Sequence, residues 1–80
     1  MNNMTDSLAR RIEIVLTPLL GELMAITTVK LQCSKMGIKP EELGYPDLPT
    51  LAKNIERAVI IFLGSDKAKE LSQSIVRINS

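Results

Sequence analysis

One cysteine and no histidine in a chain of 80 residues leave no internal disulfide and no zinc site of ordinary composition, so side-chain burial has to carry the stability. Burial is limited at this length. A chain this short hides only roughly 60% of the surface its unfolded form exposes, and ordering costs near 1.5 kcal/mol per residue almost cancel the gain. Association with another chain is the one remaining common source of extra stability.

Composition agrees with an aliphatic core. Hydrophobic residues make up 45% of the chain, mean hydropathy is +0.12, and Tyr45 and Phe62 are its only aromatic residues. Ten Lys and Arg against 9 Asp and Glu give a net charge of +1, too little to steer the chain strongly toward nucleic acid or anionic lipid. The longest apolar run, Ala58 to Leu63, is far shorter than the roughly 20 residues that cross a bilayer. Residues Met1-Asn2-Asn3-Met4-Thr5-Asp6 lack the basic and apolar regions of a secretory signal. With a single unpaired thiol, a reducing cytoplasm is the expected setting.

Helical periodicity dominates the chain. Thr5 and Asp6 suit a helix cap, with the helix starting near Ser7 and Leu8, Ile12, Val15, Leu16 and Leu19 following at helical spacing. Thr17-Pro18 predicts a break or sharp kink, because proline lacks a backbone donor and disfavours helix at the preceding residue. The next helix, from Leu19 to Met36, is apolar around more than half its circumference and should be buried on more than one side. Gly37 should end it, with Ile38 folding back. Lys39 to Pro49 reads as a stiff connector, with one helical turn at Pro40-Glu41-Glu42-Leu43 and irregular backbone at Gly44-Tyr45-Pro46. A helix from Asp47 or Leu48 should end at Gly64, and a last one should carry the stripe Ala68, Leu71, Ile75 and Ile78. The expected fold is all-α, a compact bundle of four to five helices with a Pro/Gly-rich central connector. Residues 1–80 form one domain, with 1–5 disordered and no internal repeat.

Candidate chemistry is sparse. Asp6-Ser7-Leu8 matches the tripeptide on which acyl carrier proteins bear phosphopantetheine, but it stands before any complete helix and beside Arg10 and Arg11, so Ser7 reads as a helix cap. Cys33 has no histidine base and no second cysteine, and it lies on an apolar helix, so it reads as a small core residue. Glu41, Glu42 and Asp47 lack the alternation of a calcium loop and read as a solvated connector. A cleft lined by Met24, Met36 and Phe62 could take a small apolar ligand, although methionines also fill core gaps. No residues stand out as catalytic, metal-binding or cofactor-binding.

Two functional readings follow. Three segments carry more Leu, Ile, Val and Met than one core face per helix requires, which points to a non-catalytic interaction or dimerisation module that binds itself or another protein. Leu20, Met24, Leu31, Ile60 and Ile61 are its expected interface, while Leu19, Leu23, Ile26, Ile55, Val59 and Phe62 supply an internal core. The alternative is a small DNA-binding regulator, in which the last two helices form a helix-turn-helix that presents Lys67, Lys69, Gln73, Ser74 and Arg77. Asp66 and Glu70 on the same helix, and the near-neutral chain, weigh against it.

The stretches Leu16-Thr17-Pro18-Leu19-Leu20-Gly21, Asp47-Leu48-Pro49-Thr50-Leu51-Ala52 and Phe62-Leu63-Gly64 with Lys67-Ala68 resemble small helical domains of bacterial and archaeal signalling proteins. Such domains occur alone or at the ends of kinases and roadblock-type regulators. The resemblance runs from about Ile12 to Ile75. It implies a regulatory or assembly role and brings no catalytic residues with it.

With so few phosphate contacts available, binding to duplex DNA at physiological salt should be no tighter than weak nonspecific association. Titration of a labelled duplex pool checks this. Tight, sequence-dependent binding that charge reversal at Lys69 or Arg77 abolishes would establish the DNA-binding alternative.

Overall fold

A serine cap opens the first helix. In the computed structural model, which describes residues 7–79, Ser7 Oγ accepts the Arg10 backbone N–H at 3.1 Å, satisfying one of the donors a helix start leaves free. The disorder expected for 1–5 lies outside the described residues. Helix α1 spans Leu8–Leu20 and buries Ala9, Ile12 and Leu16 along one stripe. It continues through Pro18, so of the expected break or sharp kink the break does not occur. The proline lies three residues before Gly21, so the bond it forfeits belongs to the helix's last turns. The Thr17 hydroxyl meanwhile donates to the Glu13 carbonyl at 2.7 Å.

The chain turns at Gly21 instead. Its φ of 83° and ψ of 157° lie where essentially only glycine goes. Its N–H donates to Thr17 O at 2.8 Å, and its own carbonyl accepts from Ala25 N–H at 2.9 Å. This one residue therefore closes α1 and opens α2, Glu22–Lys35. At the far end of α2, Ile38 N–H bonds Cys33 O at 3.1 Å and Gly37 N–H bonds Ser34 O at 3.0 Å. This paired-bond ending around a glycine with positive φ is the one expected at Gly37.

The connector is more ordered than its prolines suggest. Short 3₁₀ turns occupy Pro40–Glu42 and Tyr45–Asp47, the second where irregular backbone was expected. Each is pinned by a carboxylate: Glu42 Oε1 accepts from Lys39 N–H at 2.8 Å and Asp47 Oδ2 from Gly44 N–H at 2.9 Å. Helix α3 then runs Leu48–Val76, bent at Gly64 by φ 81° and ψ 164°, and a 3₁₀ turn follows at Arg77–Asn79.

The described chain is thus all-helical but has three α-helices, not four to five. Two physical reasons account for the excess. Gly64 bends α3 through one residue without forming a connecting loop, and the single turn expected at Pro40 to Leu43 is a three-residue 3₁₀ turn and not an α-helix.

The two glycine corners also overturn the expected lack of a repeat. Aligned on Gly21 and Gly64, the residues Leu8, Ala9, Ile12, Glu13, Leu20 and Ala25 coincide with Leu51, Ala52, Ile55, Glu56, Leu63 and Ala68. Burial repeats as well. Ala9, Ile12, Leu16, Ala25, Thr28 and Gln32 are buried in the first unit, and Ala52, Ile55, Val59, Ala68, Leu71 and Ile75 at the same positions of the second. Each corner has a fully buried alanine four residues beyond its glycine, a side chain small enough to let two helices approach closely where they meet.

Between the units lies one core, with Ile12, Leu16, Val29, Cys33, Leu48, Leu51, Ile55 and Ile75 essentially inaccessible. The radius of gyration is 11.6 Å, about that of an ordinary folded chain of this length. Of the residues expected inside, Ile55 and Val59 are buried and Ile26 is half-buried, but Leu19, Leu23 and Phe62 are exposed. Leu19 and Leu23 flank the Gly21 corner and Phe62 precedes the Gly64 corner, where the helices turn away and no other described element covers them.

Two outcomes follow. Nothing lies within 4 Å of a Cβ added at Gly21 or Gly64, so Gly64→Ala meets no clash and carries only the conformational penalty of about 1–3 kcal/mol. Thermal unfolding should show a Tm lowered by roughly 4–8 °C per kcal/mol. Gly44→Ala, with ordinary backbone and its nearest neighbour 3.5 Å away, should change Tm little. For Cys33, burial, and secondarily the Asp47 carboxylate, pushes the thiol pKa above its usual value. The unfolded thiol therefore ionises first as pH rises. The stability this group contributes is fully present below the ordinary thiol pKa and is lost as pH climbs through the folded one. A thiol reagent should label native protein slowly at neutral pH. Rapid stoichiometric labelling without unfolding would show that the thiol is not a core residue.

Candidate interaction surface

Helix α2 buries a face its apolar pattern does not favour. Ala25, Thr28, Val29, Gln32 and Cys33 point into the molecule, while Leu23, Met24 and Leu31 are exposed, Leu23 to 77%. Close approach explains the choice, because the short side chains of Ala25, Val29 and Cys33 let α2 lie near its neighbours where leucines would hold it away. The larger apolar groups are left on the outside.

They do not scatter there. Leu20 at the end of α1 and Met24, Thr27, Thr28 and Leu31 of α2 line a groove with Ala58, Val59 and Phe62 of α3. Its continuation past Gln32 and Ala58 is lined by Lys35, Asn54 and Arg57. From these pairings α2 and the first half of α3 run antiparallel, with both glycine corners at one end of the groove and Lys35, Asn54 and Arg57 at the other. The groove is apolar at its corner end and cationic at the far end, and no carboxylate lines either part. Gln32 is 4% exposed, lines both parts, and its side chain makes no hydrogen bond among the described residues.

Of the five expected interface residues, Leu20, Met24 and Leu31 come together in this groove, with Leu20 half-buried against the core. Ile61, beside Phe62 and 86% exposed, extends the apolar surface along α3. Ile60 does not join them. It faces a separate depression with Lys53, Glu56 and Arg57. Phe62, 72% exposed, belongs to the surface although it was expected in the core. The signal for it lay in the sequence: Phe62 immediately precedes the Leu63-Gly64 that matches Leu20-Gly21, so it falls at a corner and not mid-helix.

Repetition of the corner unit supplies an internal comparison. Leu23, Met24, Ile26 and Leu31 match Asp66, Lys67, Lys69 and Ser74, all four of them exposed. The same positions of the same local fold thus accept polar side chains in one unit and carry large apolar ones in the other. Folding does not require Met24 or Leu31 to be apolar.

The other candidates settle into structural roles or separate. Ser7 caps α1. The Glu42 and Asp47 carboxylates hold their own turns, and no three His, Cys, Asp or Glu side chains cluster to hold a metal among the described residues. Met24 and Phe62 share the groove, but Met36 packs against the core instead. The apolar part of the groove, which holds Met24 and Phe62, has a volume of about 190 Å³, below the roughly 300–1,000 Å³ of sites that enclose small ligands.

Lys67, Lys69, Gln73, Ser74 and Arg77 are exposed, as are Asp66 just before them and Glu70 among them. This segment meets the preceding one through Gly64 alone, where DNA-reading helix pairs use a turn of about three to four residues. No described helix is long and apolar enough to cross a membrane. Compared with protein-family models, curated proteins and solved structures, the chain matches none.

Proposed function

We propose that this chain is a non-catalytic protein-protein interaction module that self-associates through the α2 and α3 face around Met24, Leu31, Ile61 and Phe62. One observation carries the reading. Large apolar residues are exposed at positions where the repeated unit holds Lys67 and Ser74, so the fold sets their exposure but does not require them to be apolar. Clustered apolar surface of this kind, rimmed by polar groups, is characteristic of interaction sites, and a short chain has much to gain in stability from covering it. The resemblance to small helical domains of bacterial and archaeal signalling proteins extends the proposal to an assembly role in such regulators, in a reducing cytoplasm.

Sedimentation equilibrium over a range of concentrations tests it. The wild-type chain should dimerise, and Met24→Glu or Leu31→Glu should raise the dissociation constant at least tenfold, about 1.4 kcal/mol, because a charge is then buried without a partner. Ile60→Glu, on the separate depression, should leave the dimer nearly unchanged. Both Met24 and Leu31 are about half exposed in the monomer, so helix content by circular dichroism should persist. A wild-type chain that stays monomeric and folded at high concentration would overturn self-association.

A further inference from the structure

We infer that Gln32, Lys35, Asn54 and Arg57 form a binding pocket for a small phosphate monoester, whether or not the chain self-associates. A buried amide marks the place. Gln32 is 4% exposed, yet its side chain has no hydrogen-bond partner among the described residues. A buried polar group left unmatched destabilises a fold. The position itself does not call for an amide, because the matching residue of the second unit is Ile75, fully buried. Lys35 likewise matches Ile78, which packs against the core. Two positions that the repeated unit fills with isoleucine therefore hold an amide and an ammonium group, and both line one pocket.

That pocket supplies what an oxyanion requires. Gln32 and Lys35, three residues apart on one face of α2, meet Asn54 and Arg57, three apart on α3, and the remaining lining residue is Ala58. The pocket is open to solvent, and its volume of about 360 Å³ lies in the range of small-molecule sites, roughly 300–1,000 Å³. Among the described residues the ion pair is Arg10 with Glu13. Lys35 and Arg57 are thus not neutralised by a carboxylate, and Glu56, next to Arg57 in sequence, lines the separate depression with Ile60. Charge selects the anion. A phosphate monoester carries about −1.5 to −2 charges at neutral pH and three strong acceptor oxygens, which suit two cations and two amide donors. A single carboxylate leaves one of the two cations uncompensated. Gln32 and Ala58 also border the apolar groove, so an apolar ester group finds contact beside the phosphate.

Titration with phenyl phosphate at constant ionic strength, followed by NMR of the Gln32 and Asn54 side-chain amides, tests the site. Both amides should shift and saturate. Benzoate, the same ring with one carboxylate, should bind at least tenfold more weakly, and inorganic phosphate more weakly than its phenyl ester. Lys35→Ala or Arg57→Ala, at exposed positions, should each raise the dissociation constant at least tenfold, with folding verified by circular dichroism. Gln32→Leu keeps the side chain's approximate size and removes the amide, so it should weaken binding without lowering Tm. Amides that do not shift at millimolar phenyl phosphate, or an affinity unchanged in Arg57→Ala, overturn the pocket. Benzoate binding as tightly overturns the phosphate class, and inorganic phosphate binding as tightly overturns the ester. A lowered Tm in Gln32→Leu shows that the amide serves the fold and overturns its part in the site. The same titration on Met24→Glu, which alters the proposed dimer contact and no pocket residue, separates failure of this site from failure of self-association.

Discussion

Everything in this fold depends on a glycine turning the chain within one residue. At Gly21 and Gly64 the backbone takes φ near +82° with strongly extended ψ, a region where a side chain would be strained. A corner this tight brings the two helices together almost at once, and they can meet only where side chains are small. Ala25 and Ala68, each one helical turn beyond its glycine and each fully buried, meet that demand. The corners thus fix which face of every helix turns inward.

That choice has a cost at the surface. Once Ala25, Val29 and Cys33 set the buried face of α2, Leu23, Met24 and Leu31 have nowhere to go but out, and no other described helix covers them. Thr28 and Gln32 are drawn inside by the same geometry. In the second unit the corresponding outward positions are Asp66, Lys67 and Ser74, an ordinary solvated helix face. Two similar structural units therefore present a polar surface and an apolar one, and the groove between α2 and α3 combines that apolar surface with the cationic pair Lys35 and Arg57.

Helical class, the start at Ser7, the ending around Gly37 and Ile38, and the burial of Cys33 were legible in the sequence because each rests on local chemistry: a capping hydroxyl, a glycine with positive φ, an apolar stripe. Pro18 was misleading. Proline's penalty is a local rule too, but it falls on the end of a helix that Gly21 was about to close. Leu19, Leu23 and Phe62 were misplaced for another reason: helical periodicity assigns a residue to a face without saying whether a neighbouring element exists to cover it. The repeat was readable from Leu8-Ala9, Ile12-Glu13 and Leu20-Gly21 against Leu51-Ala52, Ile55-Glu56 and Leu63-Gly64, yet it becomes evident only when the two glycines are seen to do the same thing.

By itself, then, the sequence determined that this chain is helical, that aliphatic burial must hold it, and that its apolar residues exceed what one small core can use, since propensity, cysteine content and hydropathy are properties of the chain. Only the tertiary structure decided which apolar residues are left over and where they gather. Leu20, Met24 and Leu31 join Phe62 while Ile60 is turned away from them, because two single-residue corners, and not the periodicity of any one helix, set how the helices face each other.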